Sequence, residues 1–115
     1  LVESTRKAVR DNVGFYVGGM GARDKNFYND LFHRYGYEQE AKDIQDLFLS
    51  GKKAEAFAAV PDDYVDRASL TGDEGRVRER IAVYKEVGVT YLDIAIPEGT
   101  EEPLTVIEKI KAWAE

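Results

Sequence analysis

The sequence predicts a mostly helical chain of α/β class, with about two parallel strands and five to seven helices. Three observations carry this. Residues 1–67 place apolar side chains at helical spacings, whereas residues 68–115 spell strand, helix, strand, helix. The run VTYLDIAI at 89–96 is β-branched and nearly continuous, which suits a strand buried on both faces of a parallel sheet. A length of 115 residues allows one domain and disfavours two. The expected organisation is therefore a single partial domain over 1–115, with a helical segment at 1–67 and a right-handed βαβ unit plus a final helix at 68–115.

The elements follow in order. Residues 2–20 carry Val2, Val9, Val13, Tyr16, Val17 and Met20, spaced by three or four from Val9 onward. Phe15 falls off that stripe, so the end of this helix is expected to be buried on two sides. Gly18, Gly19 and Gly21 are expected to stop it, because Gly is about 1 kcal/mol worse than Ala inside a helix. Asp24 or Asn26 caps the next helix. Its apolar side is Phe27, Leu31 and Tyr35, with Tyr28 and Phe32 beside them, and Gly36 fits the C′ position. A third helix, about 37–50, buries Ala41, Ile44, Leu47 and Phe48 and stops at Gly51. Residues 52–59 form a short Ala-rich helix, and Pro61 opens another at its N1 position.

The last third changes character. Ala68 to Thr71 is a short apolar strand ending at Gly72. Asp73 to Val87 is a helix with Val77, Ile81 and Tyr84 on one face, ended by Gly88. VTYLDIAI is the second strand, closed by Pro97. Thr100 caps a last helix carrying Leu104, Ile107, Ile110 and Trp113 or Ala114.

Composition excludes several classes of function. The formal net charge is −6 and the sequence pI about 4.9, with no basic patch of the kind that holds a phosphate backbone, so no nucleic-acid partner is expected. No apolar run nears the roughly 18 residues that span a bilayer, so no membrane partner is expected. Cys is absent, which removes disulfides, thiolate chemistry and Cys-ligated zinc. A single His excludes a multi-His metal site within the chain. No signal peptide is visible, and a cytoplasmic location is expected.

Two strands do not make a stable parallel sheet, and VTYLDIAI is too apolar for an exposed edge. Either two copies complete each other, as a homo-oligomer (a dimer) through the strand edge and apolar helix faces, or the rest of the sheet lies elsewhere in a longer protein. The first residue is Leu1 rather than Met, with no cap before the first helix, which points to a piece of something longer.

The stretches YVGGMGARDKNFYNDLFHRYGY, IQDLFLSGKK, AVPDDYVD, SLTGDEGRVRERIAVYKEVGV and TYLDIAIP occur in that order. Together they resemble the C-terminal part of the luciferase-like monooxygenase superfamily, and are most similar to its deazaflavin-dependent oxidoreductases. The resemblance covers about Val9 to Pro97. It implies a C-terminal fragment of a (β/α)8 TIM barrel. SLTG would be the seventh strand and TYLDIAI the eighth, the helices around Val77 and Ile107 the last two barrel helices, and residues 22–67 an insertion before the seventh strand. A whole barrel takes about 250 residues. The first six strands, with most cofactor-binding positions, would lie outside this chain.

What the resemblance implies about function is hydride transfer between a deazaflavin coenzyme, F(420), and an organic substrate, with FMN as the alternative coenzyme. The isolated chain is expected to be inactive and to bind no coenzyme by itself. The competing expectation is a self-associating structural fragment or helical interaction module with no ligand.

The cofactor-binding candidates are Gly19, Met20, Gly21, Arg23 and Gly72. Glycines let a backbone approach a ligand closely, and an arginine can pair with phosphate or carboxylate. The GGMGAR turn is not GxGxxG and follows no strand, so a dinucleotide fingerprint is excluded; its bland reading is a helix stop. Thr71-Gly72-Asp73 opens a helix, where Asp73 serves the helix dipole but repels an anion, so a plain N-cap is the simpler reading. Glu98 is a lone carboxylate on a loop and is read as solvated. His33 is read as a partly exposed helix residue. Arg76, Arg78 and Arg80, interleaved with Glu74 and Glu79, read as a salt-bridged face, and the aromatics as packing. No catalytic or metal-binding residue is assigned.

Overall fold

The computed structural model describes residues 2–96 and 98–115. They form two compact units, Leu1–Thr71 and Gly72–Glu115. The first holds α1 (Val2–Gly19), α2 (Phe27–Arg34), α3 (Glu38–Leu49), α4 (Lys53–Ala58) and α5 (Asp62–Ala68); the second holds α6 (Glu74–Glu86) and α7 (Pro103–Ala114).

In the first unit the helical stripes read from the sequence meet in one core. Val17, Phe32, Ala41, Ile44, Ala56, Val60 and Val65 are buried, with Val9, Val13, Leu47, Phe48 and Phe57 packed around them. Helix α1 lies against each of the other four helices of the unit. It can do so because Gly14 and Gly18, four residues apart, present bare backbone. A Cβ on Gly14 would stand 2.6 Å from Cδ1 of Phe57, and one on Gly18 would stand 2.7 Å from Cβ of Phe48. The expectation that Gly18 and Gly19 stop the helix is corrected accordingly: α1 runs through both, and they serve as contact surface. Phe15, expected to be buried, is 44% exposed and meets the Phe48 ring edge-on.

Helix ends are set locally. After α2, Tyr35 is the C-cap and Gly36 takes φ of 92°, a conformation that costs Gly nothing. The Gly36 N–H donates to the His33 carbonyl at 3.1 Å and the Tyr37 N–H to the Phe32 carbonyl at 3.0 Å, the paired bonds of a Schellman motif. The same pair closes α3 at Gly51 and α6 at Gly88. Pro61 stands one position earlier than expected, as the N-cap of α5 with ψ of 140°.

Helices α1 and α5 are tied by charge. Arg10 Nη2 and Nε donate to Asp62 Oδ1 at 2.7 and 3.1 Å, and Arg6 pairs with Asp66. The hydrogen bond from Arg10 holds the Asp62 carboxyl below the usual carboxylate range, and Asp62 in turn raises the Arg10 guanidinium. On the α2–α5 side, the Tyr37 hydroxyl donates to Asp63 Oδ2 at 2.8 Å; burial, and then that carboxylate, raise its phenol.

The second unit is thinner. Asp73 caps α6, its Oδ1 accepting the Arg76 N–H at 2.9 Å. Ile81 is the buried side chain of α6, at 5% exposure. Helix α7 starts at Pro103, which takes N1, and its N-cap is Glu102 at φ of 50° rather than Thr100.

Neither expected strand forms among the described residues. Ala68 ends α5, and Ser69 is extended but bonds side chain to side chain with Thr71 at 2.9 Å. Residues 89–96 have no paired neighbour; Tyr91 is 84% exposed. The reason is physical: strand pairing needs a second backbone row to exchange N–H and C=O bonds, and β-propensity alone provides none. The one bridge among the described residues is the antiparallel pair Ala22 and Lys25, within a turn. The expectation that Pro97 closes the second strand lies outside the described residues.

Candidate functional site

The last residue of α1 and the turn that follows it hold four of the five candidate residues, Gly19 and then Met20, Gly21 and Arg23. A helix leaves its last four carbonyls without partners. Here two of them, on Tyr16 and Val17, are taken by side chains of the next helix. The Asn26 Nδ2 amide donates to the Val17 and Tyr16 carbonyls at 3.0 and 3.2 Å. The Asn29 Nδ2 amide donates to the Val17 carbonyl at 3.1 Å and to the Ala41 carbonyl of α3 at 2.8 Å. Asn26 also caps α2, its Oδ1 accepting the Asn29 N–H at 2.9 Å. Both asparagines are buried, at 1% and 5% exposure, with their amides satisfied. Asn26 was legible as one of two possible caps. Asn29 was not singled out, although its position three residues after a cap is a signal that could have found it.

Around this clasp the chain turns tightly. Gly21 takes φ of 150°, and a Cβ there would stand 2.2 Å from the Lys25 carbonyl oxygen. At Gly19 a Cβ would stand 2.4 Å from the Phe48 ring. Met20 is 43% exposed. Arg23 pairs with Asp46 of α3 while remaining half exposed, and its carbonyl accepts the Gln45 Nε2 amide at 3.1 Å. Gly72 belongs to the second unit, at φ of 146°; a Cβ there would stand 2.7 Å from Cγ of Arg76. The space beside all three glycines is thus held by this chain's own atoms. The turn carries two exposed cations, Arg23, which pairs with Asp46, and Lys25.

The remaining polar candidates are dispersed. His33 is exposed in the last turn of α2, and Glu98 is exposed on its loop. Arg78 pairs with Glu74 at 2.8 Å and lies over the Trp113 ring, consistent with a salt-bridged face. Among the described residues no three His, Asp or Glu side chains converge to hold a metal ion.

A second concave feature lies between α1, α2 and α5. It is a cavity of about 360 Å³ walled by Tyr16, Tyr28, Leu31, Phe32 and Tyr64, with Asn12 at its edge. Tyr16 and Tyr28 meet edge-on at 4.8 Å between ring centroids, and Phe32 and Tyr64 lie tilted at 4.5 Å. The sequence reading took the aromatics as packing; Phe32 is packing at 1% exposure, whereas Tyr28 stays 40% exposed.

A Mycobacterium tuberculosis protein, whose name assigns it to the coenzyme F420-dependent oxidoreductases, is 40% identical over 84 residues. Those residues are 73% of this chain and 24% of that protein, so the chain spans about a quarter of the length of the curated relative it matches. No solved structure matches the chain. The luciferase-like monooxygenase family matches residues 1–91, an unbroken stretch that takes in α1 through α6 together with the glycine turn and the asparagine clasp, and the chain belongs to that family.

Proposed function

We propose that this chain is the C-terminal part of a deazaflavin-dependent oxidoreductase, which transfers a hydride between coenzyme F(420) and an organic substrate, and that the 115 residues alone are catalytically silent. The observation that carries the reading is the 40% identity to a protein named for that coenzyme. Barrel ancestry follows from the family, and the unpaired apolar segment 89–96 is what a strand separated from its neighbours would look like. The coenzyme supplies the hydride chemistry when bound. This chain's residues supply rigidity: the asparagine clasp fixes the Gly19–Arg23 turn, and the turn holds Arg23 where an anionic group can meet it. FMN in place of the deazaflavin is the alternative coenzyme.

The test is a fluorescence titration of the chain with F(420) and with FMN, beside a longer protein that contains this sequence and the rest of a barrel. The expected result is no saturable binding by the chain and, for the longer protein, binding of F(420) with substrate-dependent reduction. Tight coenzyme binding by the chain alone would overturn the silent-segment reading. Failure of the longer protein to bind F(420) while binding FMN would overturn the deazaflavin assignment.

A second reading, self-association, is favoured by a specific observation. The second unit leaves Val87, Tyr91 and Leu104 at 72%, 84% and 74% exposure, apolar surface that a second copy would cover.

A further inference from the structure

The aromatic cavity of the first unit carries an inference that stands apart from the redox reading. Its walls come from three helices, so its shape is fixed by tertiary packing rather than by one loop. Phe32 forms a buried floor, and Tyr28 stands at the rim. At about 360 Å³ it falls at the small end of the range for ligand sites, enough for one or two rings and too small for a helix. No residue lining it is ionised, so a charged ligand would be desolvated there without a counter-charge. Among the described residues the Asn12 carboxamide and the Tyr28 and Tyr64 hydroxyls have no hydrogen-bond partner, unlike the satisfied Asn26 and Asn29 amides. Burial raises the Tyr64 phenol above its ordinary value, so it stays a neutral donor. Faces and edges of four rings favour a planar aromatic guest over a saturated one of equal size.

We propose that this cavity binds a small, uncharged, planar aromatic molecule bearing one hydrogen-bonding group, of the phenol or aryl-amide class. The probe is 2-naphthol, followed by its fluorescence and by proton NMR of the 115-residue chain. The expected result is saturable binding with Kd below about 1 mM, with shifts at the Tyr64 and Phe32 rings and none at Phe57. Decahydro-2-naphthol should bind at least about tenfold more weakly, since it fills space without a π-face.

Two variants test the geometry at exposed positions. Tyr28→Ala removes a wall and should weaken 2-naphthol at least about tenfold, and Asn12→Trp should fill the mouth and abolish binding. Leu49→Ala, 45% exposed on α3 and outside the lining, should leave binding unchanged. Circular dichroism confirms that each variant is folded. If a variant fails to fold, the ring shifts in the unaltered chain decide. Absence of saturable binding, equal affinity for the saturated alcohol, or shifts centred on Phe57 would each overturn the proposal.

Discussion

Asn29 sets the scale at which single side chains decide this structure. Its amide serves two carbonyls on two different helices, and both are buried with it. Asn29→Ala removes one hydrogen bond from each carbonyl, while the Val17 carbonyl keeps the Asn26 amide, and the expected loss is about 2 kcal/mol, since each net hydrogen bond contributes about 1 kcal/mol. Urea unfolding monitored by circular dichroism checks this. Gly21 acts by a different mechanism. Gly21→Ala meets the Lys25 carbonyl at 2.2 Å in a backbone region that side chains rarely adopt, so the turn must be rebuilt. The expected cost is at least about 2 kcal/mol, read as a lower urea midpoint with an unchanged m-value. These two cases also show what was readable. Gly21 stood out as a helix-breaking glycine in the sequence. The double service of Asn29 did not, because it depends on where α3 lies, and spacing along α2 carries no record of that.

At the scale of elements, the helices were legible where their signals are local. Gly36, Gly51 and Gly88 were read as stops and each holds the C′ position of a Schellman motif, since that motif spans a few consecutive residues. Asp73 was read as a cap for the same reason. Thr100 was misread because Pro103 captures N1 and moves the helix start downstream. The two strands were read from side-chain type, but pairing is a relation between backbones, and the described residues supply no partner row. Charge between elements gives a pH prediction. Asp62 has its folded pKa lowered by Arg10, so its contribution is present above the unfolded carboxylate value near about 3.9 and is lost as pH falls through the lower folded value. Asp62→Asn should lower Tm at pH 7 modestly, as expected for an exposed pair. The difference from the unaltered chain should shrink in thermal scans as pH falls through the lowered folded value of Asp62, where the carboxylate itself is neutralised. Salt should shrink it at pH 7.

For the molecule as a whole, family membership was legible because it rests on the order of many residues, and the match over 1–91 bears it out. The aromatic cavity was not. Rings at helical spacing look alike in sequence whether they fill a core or wall a hollow, and only the meeting of α1, α2 and α5 distinguishes Phe32 from Tyr28. Each unit makes its own demand on the surroundings. The first buries a seven-residue cluster and the Asn26 and Asn29 amides. The second buries Ile81 and leaves the 89–92 stretch largely bare, with α7 showing Leu104. Sedimentation equilibrium should therefore find concentration-dependent self-association of the chain, and Tyr91→Lys, which places a charge on the bare segment, should raise the dissociation constant at least about tenfold. A chain that stays monomeric at every concentration would sink that reading.

The asparagine clasp has a consequence for how the first unit breathes. Helices usually fray from the tip, one amide after another, and their terminal amides exchange with solvent water almost freely. The tip of α1 is held by a neighbour's side chains instead, so it cannot loosen until α2 leaves. Amide hydrogens around Val17 to Met20 should therefore exchange with those of α2 as one cooperative block, slower than any terminal turn closed by its own glycine.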